Sequence, residues 1–325
     1  MINANYGQRK TDIITLELIV YLRGPFQMKH FDTSTLTVPQ VHGLLVGSIG
    51  PRPIAFASTV DADGRPNLSP FSFFNCFGAN PPTLIFSPAR RGRDNTTKHT
   101  YHNVKAVPEV VINVVNYAMV EQTNVASAEY PEGVDEFQKA GFTPIASEKI
   151  KPFRVKESPV QFECIVKQVI ETGTGGGAGN LVICEVVMIH VAESILDENG
   201  RIDQRKIDLV GRLGGHFYTR AHGDALFELP QPTTGICVGA DALPKEVRES
   251  HILTGNDIGK LAAVLSIPDE TSVNEYKLNE LSDIFIDLQN KPSELLSALH
   301  SQAHQLILDG ELEDAWRTVL AYNAR

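Results

Sequence analysis

The sequence predicts a mainly β protein, an antiparallel barrel with a few helices, followed by a helical C-terminal extension. Three observations support this prediction. Between residues 53 and 191 the apolar runs are short, rich in Val and Ile, and joined in places by hairpin-turn residues. Beyond residue 255 apolar residues recur at helical spacing instead. The net charge of −10 comes entirely from residues 221–325, which hold 7 basic and 17 acidic residues.

The barrel is expected from strands that follow one another with short connections. The predicted strands are Ile54–Val60, Arg65–Pro70, Thr83–Ser87, Glu109–Val115, Val160–Thr172 and Asn180–Val191. Asp61–Gly64 provides turn chemistry between the first two strands. Short helices are predicted at 97–107, 117–127 and 134–140. Strands joined by hairpins, with helices only in the gaps, favour an antiparallel barrel over a doubly wound sheet.

The glycine-rich segment TGTGGGAGN, residues 172–180, invites comparison with a phosphate-binding loop. Both a P-loop and a dinucleotide fingerprint lead into a helix, and a P-loop also contains a lysine. Here the segment has no lysine, and the strand LVICEVVMIHV follows it. A hairpin connection is therefore the favoured interpretation.

Three segments are expected along the chain. Residues 1–27 show no clear period or capped element and are interpreted as an upstream extension. Residues 28–220 form the barrel domain. Residues 221–325 form an acidic, largely helical extension, with helices predicted at 256–265, 273–288, 292–308 and 312–322.

The composition argues against several functional classes. The acidic balance disfavours a nucleic-acid partner, which normally requires a basic surface. No apolar run approaches the roughly 20 residues of a membrane-spanning helix. The four cysteines are far apart and lack a CxxC pair, which is typical of reduced thiols and predicts a cytoplasmic location.

No hydrolytic or metal site is expected. The chain has no G-x-S-x-G elbow for a nucleophilic serine. His300 and His304 have the i, i+4 spacing of two zinc ligands, but Ser301 stands where the zinc-protease pattern has Glu. We therefore interpret these histidines as part of a solvated or partly packed helical face.

A first polar cluster lies in Asn67–Asn75, where hydroxyls and amides alternate with aromatic rings. As a loop, this segment would offer hydroxyl and N–H groups to a phosphate or to the edge of a planar ligand. As a strand, its aromatic residues would simply belong to the core. The composition leaves both interpretations open.

A second polar cluster, Ser87–Thr100, contains four cations among Asn and Thr residues just before a predicted helix. A helix N-terminus with nearby cations is a natural phosphate site, although an exposed basic loop with an ordinary N-cap has the same composition. Both clusters follow predicted strands. They could therefore meet at one edge of the barrel.

These segments resemble the flavin reductase-like, FMN-binding split-barrel family, in the branch that includes flavoredoxin-type proteins. The matching motifs are RPIAFASTVDADGRPNLSPFSFFN (52–75), DNTTKHTYHNV (94–104), YPEGVDEFQKAGFTP (130–144) and VGRLGGHFYTR (210–220). The resemblance covers about residues 28–220. The segment 235–259 is also similar to a C-terminal extension common in this branch.

The resemblance implies a six-stranded antiparallel split β-barrel that works as a homodimer, with FMN in a groove near the subunit boundary. It also implies the flavin-binding residues. The candidates are Ser58, Thr59, Asn67, Ser69, Phe71, Ser72, Phe73, Asn75, Arg90, Asn95, Thr96, Thr97, Lys98 and Thr100. His216 is a candidate contact for the nicotinamide, with a structural role as the alternative.

The function implied is that of an NAD(P)H-dependent flavin reductase that passes hydride from nicotinamide to FMN. The flavin carries this chemistry, which would explain why no catalytic dyad is found. The main alternative is a flavoredoxin-like electron carrier that a partner protein reduces. A pyridoxamine-phosphate-oxidase-like enzyme and a non-catalytic flavin or haem module also remain open.

Overall fold

A computed structural model describes residues 27–231 and 235–323. The predicted upstream extension, residues 1–27, lies outside the described residues except for its last position. The contacts divide the chain into two compact units. One unit is His30–Glu228, and the described residues from Leu229 onward belong to the other.

The first unit is built on an antiparallel sheet that does not close. The strands of the chain are β1 (Ala55–Val60), β2 (Pro66–Phe71), β3 (Phe74–Ala79), β4 (Pro82–Phe86), β5 (Glu109–Val114), β6 (Pro144–Ile145), β7 (Arg154–Val155), β8 (Val160–Glu171), β9 (Asn180–Val191), β10 (Val210–Arg212) and β11 (Tyr218–Arg220). The main sheet has seven strands in the order β2-β1-β5-β8-β9-β4-β3. Two-stranded sheets pair β6 with β7 and β10 with β11. The mainly β prediction is confirmed.

The predicted count of six strands is wrong, because the main sheet contains seven. The additional strand is β3, Phe74–Ala79, which pairs only with β4 among the described residues and is exposed along most of its length. An exposed edge strand has no buried face, so its sequence FNCFGA lacks the alternation that identifies a strand. The segment 67–75 is therefore mostly strand, in β2 and the start of β3.

The longest strands, β8 and β9, form a hairpin across the glycine-rich segment, as predicted. Their register runs from Val160 opposite Val191 to Glu171 opposite Asn180. Two thiols, Cys164 and Cys184, are fully buried on these strands. Burial raises the pKa of Cys184 to about 12 and raises that of Cys164 well above its ordinary value. Both cysteines are therefore packed thiols in the sheet core.

Helices fill the gaps between strands and make up most of the second unit. They are α1 (Val38–Ser48), α2 (His99–Ala106), α3 (Val120–Ala126), α4 (Glu136–Ala140), α5 (Gln204–Ile207), α6 (Lys245–Arg248), α7 (Gly255–Ala262), α8 (Glu270–Glu280), α9 (Ser282–Leu288), α10 (Pro292–Asp309) and α11 (Leu312–Ala321). Short 3-10 helices span Thr33–Thr35, Tyr117–Met119, Glu193–Ile195, Gly223–Ala225 and Ala240–Ala242. Among these helices none is long and apolar enough to cross a membrane.

Helix α1 was not predicted, although its start carries a clear signal. The backbone N–H of Thr37 donates to Oε1 of Gln40 at 2.9 Å, and Pro39 lies in the first turn. Such a cap and an early proline favour helix initiation. The helix has no buried residue, although Val38, Val41 and Leu45 recur at helical spacing, a signal that the prediction did not use.

Strands β1 and β2, which carry residues of the candidate site, pack against two apolar cores. Val104 of α2 packs with Ala55 and Ala57 of β1 on one side of the sheet. Phe56 of β1 and Leu68 of β2 pack with residues of α3 and α4 on the other side. Strands β1 and β2 therefore lie between α2 on one face and the α3–α4 segment on the other.

The second unit is a helical bundle with cores of its own. Trp316 is buried and donates its indole N–H to the carbonyl of Leu261 at 3.0 Å. The predicted helices are confirmed, except that 273–288 divides at Leu281 into α8 and α9. His304 Nδ1 lies 2.9 Å from Oδ2 of Asp257, and His300 is buried.

Candidate functional site

A polar cavity of about 980 Å³ lies beside the start of α2 in the first unit. Its lining includes Asn67, Arg90, Arg91, Arg93, Thr96, Thr97, Asn103 and Glu129. A cavity of this size is at the upper end of the range of small-molecule and cofactor sites. Arginines, threonines and amides offer many donors to a ligand, which suits an anionic group.

The two polar clusters of the sequence meet on the floor of this cavity. Asn67 on β2 donates its side-chain amide to the hydroxyl of Thr100 on α2 at 3.1 Å. Asn103, one turn further along α2, donates to the hydroxyl of Thr59 on β1, also at 3.1 Å. Because α2 packs on β1, these contacts fix the helix start against the strand edge. The expectation that the two clusters meet is confirmed for Asn67 and Thr100, whereas Ser69–Asn75 do not line this cavity.

The cations are presented by the segment Arg90–Thr97, which we name the arginine loop. Arg90 donates from Nε and Nη2 to the side chain and the backbone carbonyl of Asn95, both at 2.7 Å. Arg91 donates from Nη1 to Thr96 Oγ1 at 3.0 Å and to the carbonyl of Thr97 at 2.6 Å. Asn95 adopts a φ of 58°, in the left-handed region that Asn tolerates better than most residues. The loop is therefore internally cross-linked.

The glycine-rich hairpin tip supports the arginine loop from behind. The amide of Asn95 donates to the carbonyl of Thr174 at 3.0 Å, and the backbone N–H of Arg90 donates to Ala178. A Cβ on Gly176 would lie 3.1 Å from the carbonyl oxygens of both Arg91 and Gly92. Glycine thus permits a close backbone approach here. The glycines shape the cation-bearing loop from behind, and none of them lines the cavity near the cations.

One carboxylate, Glu129, bridges three cations at the rim of the cavity. Its Oε1 lies 3.0 Å from Nε of Arg91 and 3.9 Å from Nζ of Lys98, and its Oε2 accepts from Arg93. Hydrogen bonds from Arg93 and Arg91 lower the pKa of Glu129. Burial lowers the pKa of Lys98, with a smaller contribution from the charge of Arg91. Glu129 is therefore the carboxylate that offsets the charges of Arg91 and Lys98, while Arg93 also pairs with Asp94.

Lys98 also occupies the N-cap position of α2, and its side chain makes no capping hydrogen bond. The first turn of a helix presents backbone N–H groups and partial positive charge to an anion. The N-terminus of α2 and the rim cations therefore both favour an anionic ligand.

The candidate residues named from the sequence divide into two groups. Asn67, Arg90, Thr96 and Thr97 line the cavity. Thr59, Asn95, Lys98 and Thr100 each contact a lining residue, namely Asn103, Arg90, Glu129 and Asn67. The remaining candidates lie elsewhere: Ser58 on β1, Ser69 and Phe71 on β2, Ser72 and Phe73 between β2 and β3, and Asn75 on β3.

The second group has varied surroundings. Phe71 is buried and packs against Phe86, with ring centroids 5.5 Å apart. Ser58 is fully buried, and its hydroxyl has no hydrogen-bond partner among the described residues. Asn75 accepts from the backbone N–H of Cys76 on the exposed β3. Phe73 lies near His42 of α1, with ring centroids 6.3 Å apart.

His216 and Ser72 line two further cavities on the α3 side of the sheet. His216 lines one of about 390 Å³, and Ser72 lines one of about 200 Å³. Arg212 and Tyr218 line both, and the guanidinium of Arg212 stacks 4.6 Å from the centroid of the Tyr218 ring. A stacked cation beside polar groups forms a second surface suited to an aromatic, anionic ligand.

Residue-level reasoning from the sequence missed several groups at the large cavity. Arg91 and Arg93 belong to the predicted cationic cluster but were not chosen as ligand contacts. Asn103 follows the chosen residues by one helical turn. Glu129 directly precedes segment 130–144, one of the motifs that carry the family resemblance, but that motif did not indicate a role for Glu129.

Comparison with known proteins gives consistent matches to this unit. A family model described as flavin reductase like domain matches residues 48–207. The chain is 38% identical over 199 residues to an uncharacterized protein of Aquifex aeolicus, an alignment that covers 61% of this chain and 96% of the relative.

Two solved structures share the fold of this unit. Nitrilotriacetate monooxygenase component B from Bacillus cereus is 34% identical, with a TM-score of 0.58, over 62% of this chain and 99% of that one. A protein of Shewanella frigidimarina, described as a flavin reductase with a split barrel domain, is 27% identical with a TM-score of 0.53. That match covers 63% of this chain and 100% of the other. These likenesses support the predicted split-barrel fold.

Proposed function

The chain belongs to the flavin reductase-like family, and we propose that it binds FMN and passes hydride to it from NAD(P)H. The observation that carries this proposal is the large polar cavity, in which an uncapped helix start, three cations and two threonines converge. Phosphate is the ligand group that such a donor set suits best. Family membership favours a flavin phosphate.

We propose that the phosphate binds between the arginine loop and the start of α2. Arg91 and Lys98 would neutralise its charge, and the hydroxyls of Thr96 and Thr97 would orient it. Asn67 and Asn103 would hold the floor through their hydrogen bonds to Thr100 and Thr59.

The redox chemistry is that of the flavin, which accepts hydride from a nicotinamide when it is bound. The protein's contribution is positional. We propose that the surface around His216, Tyr218 and Arg212 receives the nicotinamide nucleotide, because an imidazole and a stacked guanidinium suit an aromatic ring and a phosphate.

We also propose that the protein works as a homodimer. An apolar surface, the α1–β3 surface, consists of Leu44, Leu45, Ile49, Phe73 and Phe77, all more than one third exposed. Helix α1 has no buried residue, and β3 is the edge of the sheet in the described chain. Exposed apolar groups and an open strand edge favour association with another protein surface. A second copy of this chain is the proposed occupant.

Replacing Phe77 with Glu should therefore convert the protein from a dimer to a monomer. Phe77 is 63% exposed, so the substitution has little effect on the fold of one chain but places a charge in the interface. Light scattering coupled to size-exclusion chromatography measures the mass. Leu278→Glu, on α8 and 73% exposed, is the matched control and should leave the dimer intact. A monomeric wild-type protein would contradict the proposal.

The function is tested by the visible spectrum of the purified protein after saturation with FMN and removal of free flavin. Anaerobic addition of NADH, and then of NADPH, should bleach the flavin band and identify the preferred donor. A retained band that persists with both donors would favour an electron carrier reduced by a partner protein. Absence of any flavin binding, in this assay and in a fluorescence titration, would contradict the proposed function.

A further inference from the structure

The carboxylate of Glu129 occupies the position where three cations converge. Its two oxygens contact Arg91, Arg93 and Lys98. Arg91 and Lys98 are largely covered, with side-chain exposures of 16% and 30%, so their charges are poorly solvated. A carboxylate that receives donors from several cations resembles a phosphoryl group in charge and in acceptor geometry.

Glu129 is not needed to arrange the two arginines. Arg91 is held by Thr96 and Thr97, and its backbone N–H donates to the carbonyl of Thr96 at 2.8 Å. Arg93 has a second partner in Asp94 at 3.1 Å. The loop itself is tied to the glycine-rich hairpin through Asn95 and Arg90. Removal of the carboxylate would therefore leave the arginines in place, with Arg91 and Lys98 losing the ion pair that they make with Glu129.

We propose that Glu129 is a built-in competitor for the phosphate of the ligand. It fills the anion subsite in the free protein, and the phosphate must displace it to bind. This inference rests on the proposed flavin function and adds a specificity-determining residue to it. Affinity for FMN is set by the exchange of one anion for another. Riboflavin, which has no phosphate, does not take part in this exchange.

The consequence is that bound FMN exchanges with free FMN. A phosphate that enters an empty cationic site gains the full electrostatic attraction, whereas one that replaces Glu129 gains only the difference between the two anions. Glu129 can return to the cations when the flavin leaves. The residue therefore favours an exchangeable flavin over a permanently held one.

The test compares FMN and riboflavin binding to the wild-type protein, Glu129→Gln and Glu132→Gln by quenching of flavin fluorescence. Glutamine retains the size of Glu129 and an oxygen that can accept from Arg91 but removes the charge. We expect Glu129→Gln to bind FMN about fivefold more tightly, with riboflavin affinity unchanged. Glu132 lines the same cavity without an ion pair to the rim cations among the described residues, so its substitution should change neither affinity.

A second arm uses inorganic phosphate as a competitor against FMN. Phosphate should inhibit FMN binding more strongly in Glu129→Gln than in the wild-type protein. Unchanged or weaker FMN binding by Glu129→Gln, with circular dichroism confirming the fold, would overturn the inference and assign Glu129 an organising role. Equal gains for FMN and riboflavin would also overturn it. Failure of every variant and of the wild type to bind either flavin would instead contradict the proposed function.

Discussion

Lys98→Ala should weaken FMN binding by about ten- to a hundredfold, the cost of one charge-assisted hydrogen bond to a phosphate. The ammonium group stands at the N-cap of α2, and its partial burial lowers its pKa. A poorly solvated ammonium gains more from an anionic partner than an exposed one does. Its contact with Glu129 is long, at 3.9 Å, so the group is available to a ligand. A fluorescence titration with FMN measures the effect.

Lys105→Ala is the matched control for this prediction. Lys105 lies in the same helix but pairs with Glu171 at 3.2 Å and does not line the large cavity. Its substitution should leave FMN affinity unchanged. If Lys98→Ala and Lys105→Ala behave alike, the assignment of Lys98 to the phosphate is wrong. Thr100→Ala is less informative, because it also leaves the buried amide of Asn67 without its acceptor.

Glu163→Ala should lower the free energy of unfolding by about 3–5 kcal/mol. The carboxylate is fully buried on β8 and accepts from the backbone N–H groups of Glu148 and Lys149 at 2.8 and 2.7 Å. His190 Nε2 lies 2.8 Å away on the neighbouring β9. The Glu163 side chain thus connects the loop between β6 and β7 to the sheet through hydrogen bonds. Denaturant unfolding measures the loss, which removes all three interactions at once.

The same carboxylate should make stability depend on pH in a defined direction. Burial tends to raise the pKa of Glu163, but hydrogen bonds from Glu148, Lys149 and His190 outweigh it, so the pKa lies below its ordinary value of 4.5. A lowered pKa stabilises the folded state above pH 4.5, and this stability is lost as the pH falls through the folded-state value. The difference between wild type and Glu163→Ala should therefore shrink in acid.

Glu109→Ala provides the comparison for the stability measurement. Glu109 on β5 accepts a single backbone hydrogen bond, from Lys151 in the same loop at 2.8 Å, in an exposed setting. We expect a loss of about 1 kcal/mol or less. Equal losses from Glu163→Ala and Glu109→Ala would show that the buried carboxylate contributes no more to the free energy of unfolding than the exposed one.

Much of the fold could be predicted from the sequence where burial imposes a pattern. Strands β8 and β9 are long, rich in β-branched residues and half buried, and their predicted bounds match the structure within one residue. The predictions fail where nothing is buried. Strand β3 lies exposed at a sheet edge and shows no strand alternation, and α1, which was also not predicted, has no buried residue. If the α1–β3 surface is a dimer interface, these two elements are buried only in the dimer, and the structure of a single chain does not show that burial.

The candidate site could be predicted only in part, for a similar reason. The cationic and hydroxyl side chains before α2 lie close together in the sequence, so Thr96, Thr97 and Lys98 could be predicted as one cluster. Glu129 lies 38 residues from Arg91 in sequence, and only the tertiary fold brings their side chains together. Phe71 shows the opposite case, because its aromatic ring is equally suited to a ligand or to the core, and it packs against Phe86.

The buried thiols of β8 and β9 provide a chemical probe of how often the sheet core opens. Thiolate is the reactive species, and burial keeps Cys164 and Cys184 protonated and covered. A disulfide reagent can modify them only after the core around them opens, because both thiols are fully buried. Under native conditions the extent of this modification reports the free energy of that opening. Ligand binding that stabilises the hairpin behind the arginine loop would slow the modification.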